Sequence, residues 1–205
     1  TQDHGLFDTE RGAGKYVQSN GTDAEASQST SLTSFNSDGF TLGSFNLFND
    51  ESTRTYVSWT FRKQPKFFDV VKYTGNGNSG HSISHSLGSV PGMIIVKNLD
   101  DSSLGWRIWH RSLTNPFSLS LNSTGAANSD AGYFTTTDPT SSVFYVGDSG
   151  WVNQNNSNFI AYVFAHNNND GGFGAAGDQD IIKCGSYTGN NSTTGPVIDL
   201  GFEPQ

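Results

Sequence analysis

The chain has 205 residues and a net charge of −8, with 33% apolar and 15% charged residues, both below globular averages of roughly 45–50% and about 25%. Gly, Ser, Thr and Asn replace the missing charge, which excludes helical bundles and coiled coils, while 15 Phe, 7 Tyr and 4 Trp exclude a disordered tract. The few Lys and Arg are scattered, so nucleic acid is not an expected partner; the lone Cys184 permits no intrachain disulfide, and no apolar stretch approaches a membrane span.

In chain order, residues 22–28 carry only small and charged side chains and support a short turn or one helical coil at most. Strands are predicted over residues 56–61, 67–73, 93–97, 106–110, 117–122, 143–146, 159–164 and 180–184, runs rich in Val, Ile, Phe, Tyr and Trp. Clusters of Gly, Asn, Asp, Ser and Pro punctuate them as turns. The expected fold class is all-β, an antiparallel two-sheet β-sandwich or jelly roll.

Internal repetition organises the chain. Tyr73-Thr74-Gly75-Asn76 returns 114 residues later as Tyr187-Thr188-Gly189-Asn190, and Leu87-Gly88-Ser89-Val90-Pro91 returns 113 later as Leu200-Gly201-Phe202-Glu203-Pro204. A second set links the opening to the middle. Phe40-Thr41-Leu42-Gly43 matches Phe144-Tyr145-Val146-Gly147 at 104, and Tyr56-Val57-Ser58-Trp59-Thr60-Phe61 matches Phe159-Ile160-Ala161-Tyr162-Val163-Phe164 at 103. The expected division is 1–66 as the C-terminal half of a sandwich unit, 67–176 as a complete unit, and 177–205 as the opening strands of a further one. Residues 167–177 form the linker. The chain opens at Thr1 with no initiator Met and is expected to be a window on a longer array. Two further expectations follow: Trp59, aligned with Tyr162, lies in a core, and residues 181–187 and 197–202 fold back to complete the first unit, with upstream residues or another subunit as the alternative sources of its missing strands.

Catalytic constellations are weak. A glycosidase needs paired carboxylates, yet residues 67–176 contain no Glu, and most of their Asp residues stand in turn contexts. No Gly-x-Ser-x-Gly elbow supports a nucleophilic triad. His81 and His85 would sit on one face of a strand roughly 13 Å apart, too far to share an ion, so packing is their expected role. Asp170, Asp178 and Asp180 faintly suggest a calcium loop, but Gly177 stands where a bidentate Glu would. The expectation is therefore no enzyme, no cofactor and no metal.

Aromatics among polar loops suit saccharides, whose apolar faces stack on rings while Asn, Asp and Arg bind hydroxyls. In Trp106-Arg107-Ile108-Trp109-His110, strand alternation sets Trp106 with Ile108 and His110, and Trp109 with Arg107 on the opposite, exposed face. Trp151 falls at an expected loop tip between Asp148 and Asn153. Trp109 and Trp151, with Arg107, Asn153 and Asp148, form the candidate glycan-binding set, against packing between neighbouring units or subunits as the alternative.

The runs DTERG at 8–12, LTSFNSDGFTLGS at 32–44, YTGNG at 73–77, HSLGSVPGMIIVKN at 85–98, WRIWHRSL at 106–113 and SVFYVGDSGWVN at 142–153 together resemble a tandemly repeated domain of bacteriophage, especially marine phage, virion proteins. The resemblance covers almost the whole chain. It implies a concanavalin A-like β-sandwich in a tail fibre or other virion-surface protein, an extracellular location and no catalytic residues. Expected partners are other virion subunits, with the chain as a homo-oligomer, and host surface polysaccharide; a purely structural shaft or decoration protein is the alternative, and a polysaccharide-degrading enzyme a third.

Overall fold

The strands, in chain order, are β1 (Gly5–Leu6), β2 (Lys15–Gln18), β3 (Ala26–Ser27), β4 (Leu32–Phe35), β5 (Phe40–Leu42), β6 (Phe68–Thr74), β7 (His81–Ser84), β8 (Pro91–Asn98), β9 (Arg107–His110), β10 (Phe117–Ser120), β11 (Asn128–Ser129), β12 (Val143–Val146) and β13 (Asn158–Ala165). A one-turn helix, α1 (Gly150–Asn153), precedes β13. The computed structural model describes residues 3–50 and 53–204. Every strand pairing among them is antiparallel, and the expected all-β class holds.

A six-stranded sheet in the order β11-β10-β9-β8-β13-β6 is the central layer. Its strand β13, between β8 and the edge strand β6, reads Asn-Phe-Ile-Ala-Tyr-Val-Phe-Ala, apolar on both faces. Alternation sends Phe159, Ala161, Val163 and Ala165 to one side, where they pack with Ile94, Val96 and Trp109 of the sheet and with Ile83, Phe144 and Val146 of the β12–β7 pair. On the other side Ile160 and Tyr162 pack with Phe68, Val70, Leu99 and Trp106. That second face is closed by the N-terminal residues, with Val17 of β2 in the core and Leu6 of β1 against it. Trp106 Nε1 donates to the Gln18 carbonyl at 2.9 Å, and Glu25 N to that of Leu99 at 2.8 Å.

A buried polar staple fastens this cover. The DTERG run makes a tight turn in which Arg11 N and Nε donate to the Asp8 carboxylate at 2.9 and 2.6 Å. Arg11 also donates to the Leu6 carbonyl at 2.8 Å and to the Tyr162 hydroxyl at 3.1 Å, and that hydroxyl donates to Asp8 at 2.9 Å. Burial holds the Tyr162 hydroxyl well above its ordinary pKa. Removing Arg11 or Asp8 would strand the other's buried charge, a loss of about 3–5 kcal/mol.

Several expectations are corrected. Residues 56–61 form no strand, and Trp59 is 85% exposed rather than in a core. Their alternation fits a sheet, but no described strand pairs with them; Phe61 packs on Phe67, Phe68 and Phe164, and the Tyr56 hydroxyl accepts from Asp50 N. Residues 180–184 also stay outside any strand. The tail does not fold back on the first unit: Ile181 and Ile182 donate to Asn167 Oδ1, Cys184 N donates to His166 Nδ1, and residues 185–204 make no hydrogen bond to residues 3–66 among those described. Burial pushes the Cys184 thiol up to about 11. Over 22–28 the chain forms β3 and no helix.

Lys97, near the C-terminal end of β8, is fully buried, its Nζ donating to the carbonyls of Asn98 and Asp101 at 2.6 and 3.4 Å. Burial lowers its ammonium to about 8, opposed by Asp101 and Asp23. Below that pH the group is charged in both states and the folded chain carries the desolvation cost. Between there and the ordinary lysine value of about 10.4 the unfolded chain binds the extra proton, so the contribution of Lys97 to stability rises with pH. Denaturant titrations of the native chain and Lys97→Met at pH 7 and pH 10 test this. The free-energy difference should shift toward the native chain at the higher pH; a constant or reversed difference contradicts the assignment.

Candidate functional site

Arg107 enters the core from β9 on the face shared with Trp109, as alternation requires. It is 9% exposed. Its guanidinium lies 3.9 Å from the centre of the Tyr133 ring and 4.2 Å from that of Trp151, two rings set nearly at right angles with centroids 6.3 Å apart. Nη1 donates to Ser120 Oγ and Nη2 to the Tyr133 hydroxyl, both at 2.9 Å, while Nε has no partner. Burial lowers the guanidinium below its ordinary pKa, opposed by Tyr133 and Asp130. Such cation–π contacts contribute about 0.5–2 kcal/mol each.

Trp151 reaches this corner from α1, whose start is set by Ser149: its hydroxyl accepts from Trp151 N, and its carbonyl accepts from Val152 N and Asn153 N. The expected loop tip is thus a capped helical turn. Tyr133 is half-buried, and beside it Gly132 lies between two exposed carboxylates. A Cβ there would stand 3.0 Å from Asp130 Oδ1 and 3.4 Å from Asp148 Oδ1. Arg107, Trp151 and Asp148 of the expected set therefore converge, joined by Tyr133 and Asp130.

Trp109 and Asn153 do not present themselves to a ligand. The β12–β7 layer covers the face expected to be exposed, so both Trp106 and Trp109 are buried, at 0% and 5%. Trp109 Nε1 donates to Asn115 Oδ1 at 2.7 Å, and Asn115 donates on to Asp138. Asn153, at 0% exposure, ties α1 to the turn after β6. Its Nδ2 donates to Asn76 Oδ1, the Asn78 carbonyl and the Gly147 carbonyl, and its Oδ1 accepts from Asn76 N at 2.8 Å and meets His81 Nδ1 at 3.0 Å. The repeated Gly75 is required at this junction, because a Cβ there would collide with the Gln154 carbonyl oxygen.

His85 and Ile83 pack inward, His85 against Phe144. Asp180 accepts backbone N–H groups from Asn169 and Gly171 at 2.7 and 2.9 Å, so it holds the linker turn. Among the described residues no group of three His, Cys, Asp or Glu is placed to hold a metal. One acidic grouping lay beyond a reading of residues 67–176 alone: Glu10 and Asp69 share Lys63, at 3.3 and 2.9 Å, in a cleft of about 220 Å³. Asp69 also accepts from Ser86 N and Val70 N, which makes it a buried structural anchor.

Truncating Asn153 deprives five partner atoms on Asn76, Asn78, His81 and Gly147 of their contact. Asn153→Ala should lower unfolding free energy by about 3 kcal/mol, measured by urea denaturation. A loss within the ordinary surface range of about 0.5 kcal/mol would remove Asn153 from its place as the hub of this corner.

No helix among the described residues is long and apolar enough to cross a membrane. No curated protein and no solved structure matches the chain. Over residues 1–205 the chain matches a family described as a domain of unknown function, DUF7483. The chain belongs to that family.

Proposed function

We propose that this chain is a structural and adhesive module of a phage virion appendage, built from β-sandwich units in series and contacting host-surface saccharide through the Tyr133–Trp151 corner. The sequence resemblance supplies the phage setting, and the collinear repeats supply the serial architecture. The observation that carries the adhesive role is Arg107, held against Tyr133 and Trp151 at 3.9 and 4.2 Å beneath two exposed carboxylates. Rings locked in this way lose little conformational entropy when a ligand arrives. Their partly exposed apolar surfaces suit a sugar face, and Asp130 and Asp148 suit its hydroxyls. Arg107 is a positioning residue in this reading, since the rings and not its buried guanidinium meet the ligand. No catalytic step is assigned. Individual contacts of this kind are weak, and repetition along an appendage raises the avidity. The net charge of −8 disfavours polyanionic partners.

The burial of Trp109 and Asn153 favours a second reading, a purely structural shaft or capsid decoration protein. A glycan array probed with the full chain separates the two. Retention of a neutral host polysaccharide is expected, lost in Trp151→Ala and in the double variant Asp130→Asn with Asp148→Asn while thermal unfolding of the latter stays near that of the native chain. Absence of retention on every saccharide favours the shaft reading instead, and retention unchanged in both variants removes the Tyr133–Trp151 corner from the adhesive role.

A further inference from the structure

Two segments have the chemistry of strands and no strand partner. Residues 56–61 leave Val57 and Trp59 at 87% and 85% exposure, and Tyr187 in the tail is 70% exposed. Neither 53–63 nor 185–204 enters a named strand. Unpaired strand-like backbone carrying large apolar side chains is a template for another chain.

The middle of the molecule shows which partner fits. There β13 pairs with β6 in the register Phe159↔Tyr73, Tyr162↔Val70 and Phe164↔Phe68. Residues 56–61 repeat 159–164, and residues 187–190 repeat 73–76. Carrying the observed register through both repeats sets Tyr56 opposite Tyr187, Trp59 opposite Cys184 and Phe61 opposite Ile182. The template pair Tyr73 and Phe159 stacks at 5.1 Å, a contact that Tyr56 and Tyr187 reproduce in kind.

The two segments differ in the sign of their flanking charge, while the paired residues 55–61 themselves carry none. Residues 53–63 carry Arg54, Arg62 and Lys63 and no acid, with Arg54 and Lys63 held by Asp50, Glu10 and Asp69 of the same chain, whereas 178–203 carry Asp178, Asp180, Asp199 and Glu203 against Lys183 alone. Arg62 makes no ion pair among the described residues. Within one chain no backbone hydrogen bond among the described residues joins the two segments, and the contacts of Ile181, Ile182 and Cys184 with Asn167 and His166 tie the start of the tail to the end of β13.

We propose that residues 182–188 of one copy of this chain pair antiparallel with residues 55–61 of a second copy, in the register of β6 on β13, joining copies head to tail. The contact is heterologous, so each added copy leaves one basic and one acidic end open and the assembly grows as a row. This inference rests on the serial-repeat part of the proposed function and not on saccharide binding.

Mixed cross-linking tests it. One full-length chain carries Cys184→Ser with Tyr56→Cys, a second carries Cys184→Ser with Tyr187→Cys, and the two are mixed under mild oxidation. Both sites are exposed, so neither change disturbs a core. The expected product is a mixed disulfide running at twice the monomer mass, in clear excess over that from an out-of-register mixture in which Val57→Cys replaces Tyr56→Cys. Equal cross-linking in both mixtures, or none in either, overturns the proposal. So does an intrachain disulfide in a single chain bearing both substitutions when the mixture gives no heterodimer. Saccharide retention by the same variants is read separately at Tyr133 and Trp151, so a failure of strand exchange is distinguishable from a failure of the adhesive reading.

Discussion

The structure depends on one constraint, the two-sided apolar character of β13. A strand that reads Phe-Ile-Ala-Tyr-Val-Phe cannot leave either face in water. Fully burying one large apolar side chain contributes about 1.5–3 kcal/mol, and β13 supplies several on each side. The β12–β7 pair closes one face with Ile83, Phe144 and Val146, and the N-terminal strands close the other with Val17 and Leu6. The two covers differ in kind. The first is almost wholly apolar, whereas the second is held by the Arg11, Asp8 and Tyr162 staple and passes over a buried lysine. Polar fastening gives direction that apolar contact alone lacks, since each donor must find its acceptor.

The same constraint places the candidate site. Because both faces of β9 are covered, Trp106, Trp109 and Arg107 are all drawn inside, and only side chains at the rim of the β12–β7 face remain partly open. Arg107 then has no carboxylate partner and is solvated by aromatic faces and two hydroxyls instead. Asn153 fixes α1 from below, so Trp151 is positioned by a chain of hydrogen bonds reaching back to the Gly75 turn. A rigid aromatic rim beside two carboxylates is the consequence of filling the interior.

Much of the fold was legible where alternation and apolar content coincide. Residues 143–146 and 159–164 read as strands and are strands, with β13 one residue longer at each end. Residues 56–61 carry the same signal and are not a strand, because propensity describes a residue's fit to a sheet and does not supply the neighbouring backbone. The helix α1 was invisible because four residues including Gly, Val and Asn have no helical period; only the cap Ser149 signalled it. Arg107, Trp151 and Asp148 were singled out together by residue type, and the structure brings these three side chains to one corner. Tyr133 was missed, since it lies outside any strand and meets Arg107 across 26 residues of sequence. Trp109 was misplaced because alternation tells which face a residue takes and not whether that face is covered.

If the cover supplied by residues 3–50 is what β13 requires, the staple and the central sheet must lose their structure together. Amide hydrogen exchange on Arg11→Ala measures this directly. The account predicts that protection falls by a common factor in β2, β6, β8 and β13, as one cooperative unit. Loss confined to residues 3–50, with β13 protected as in the native chain, would contradict it.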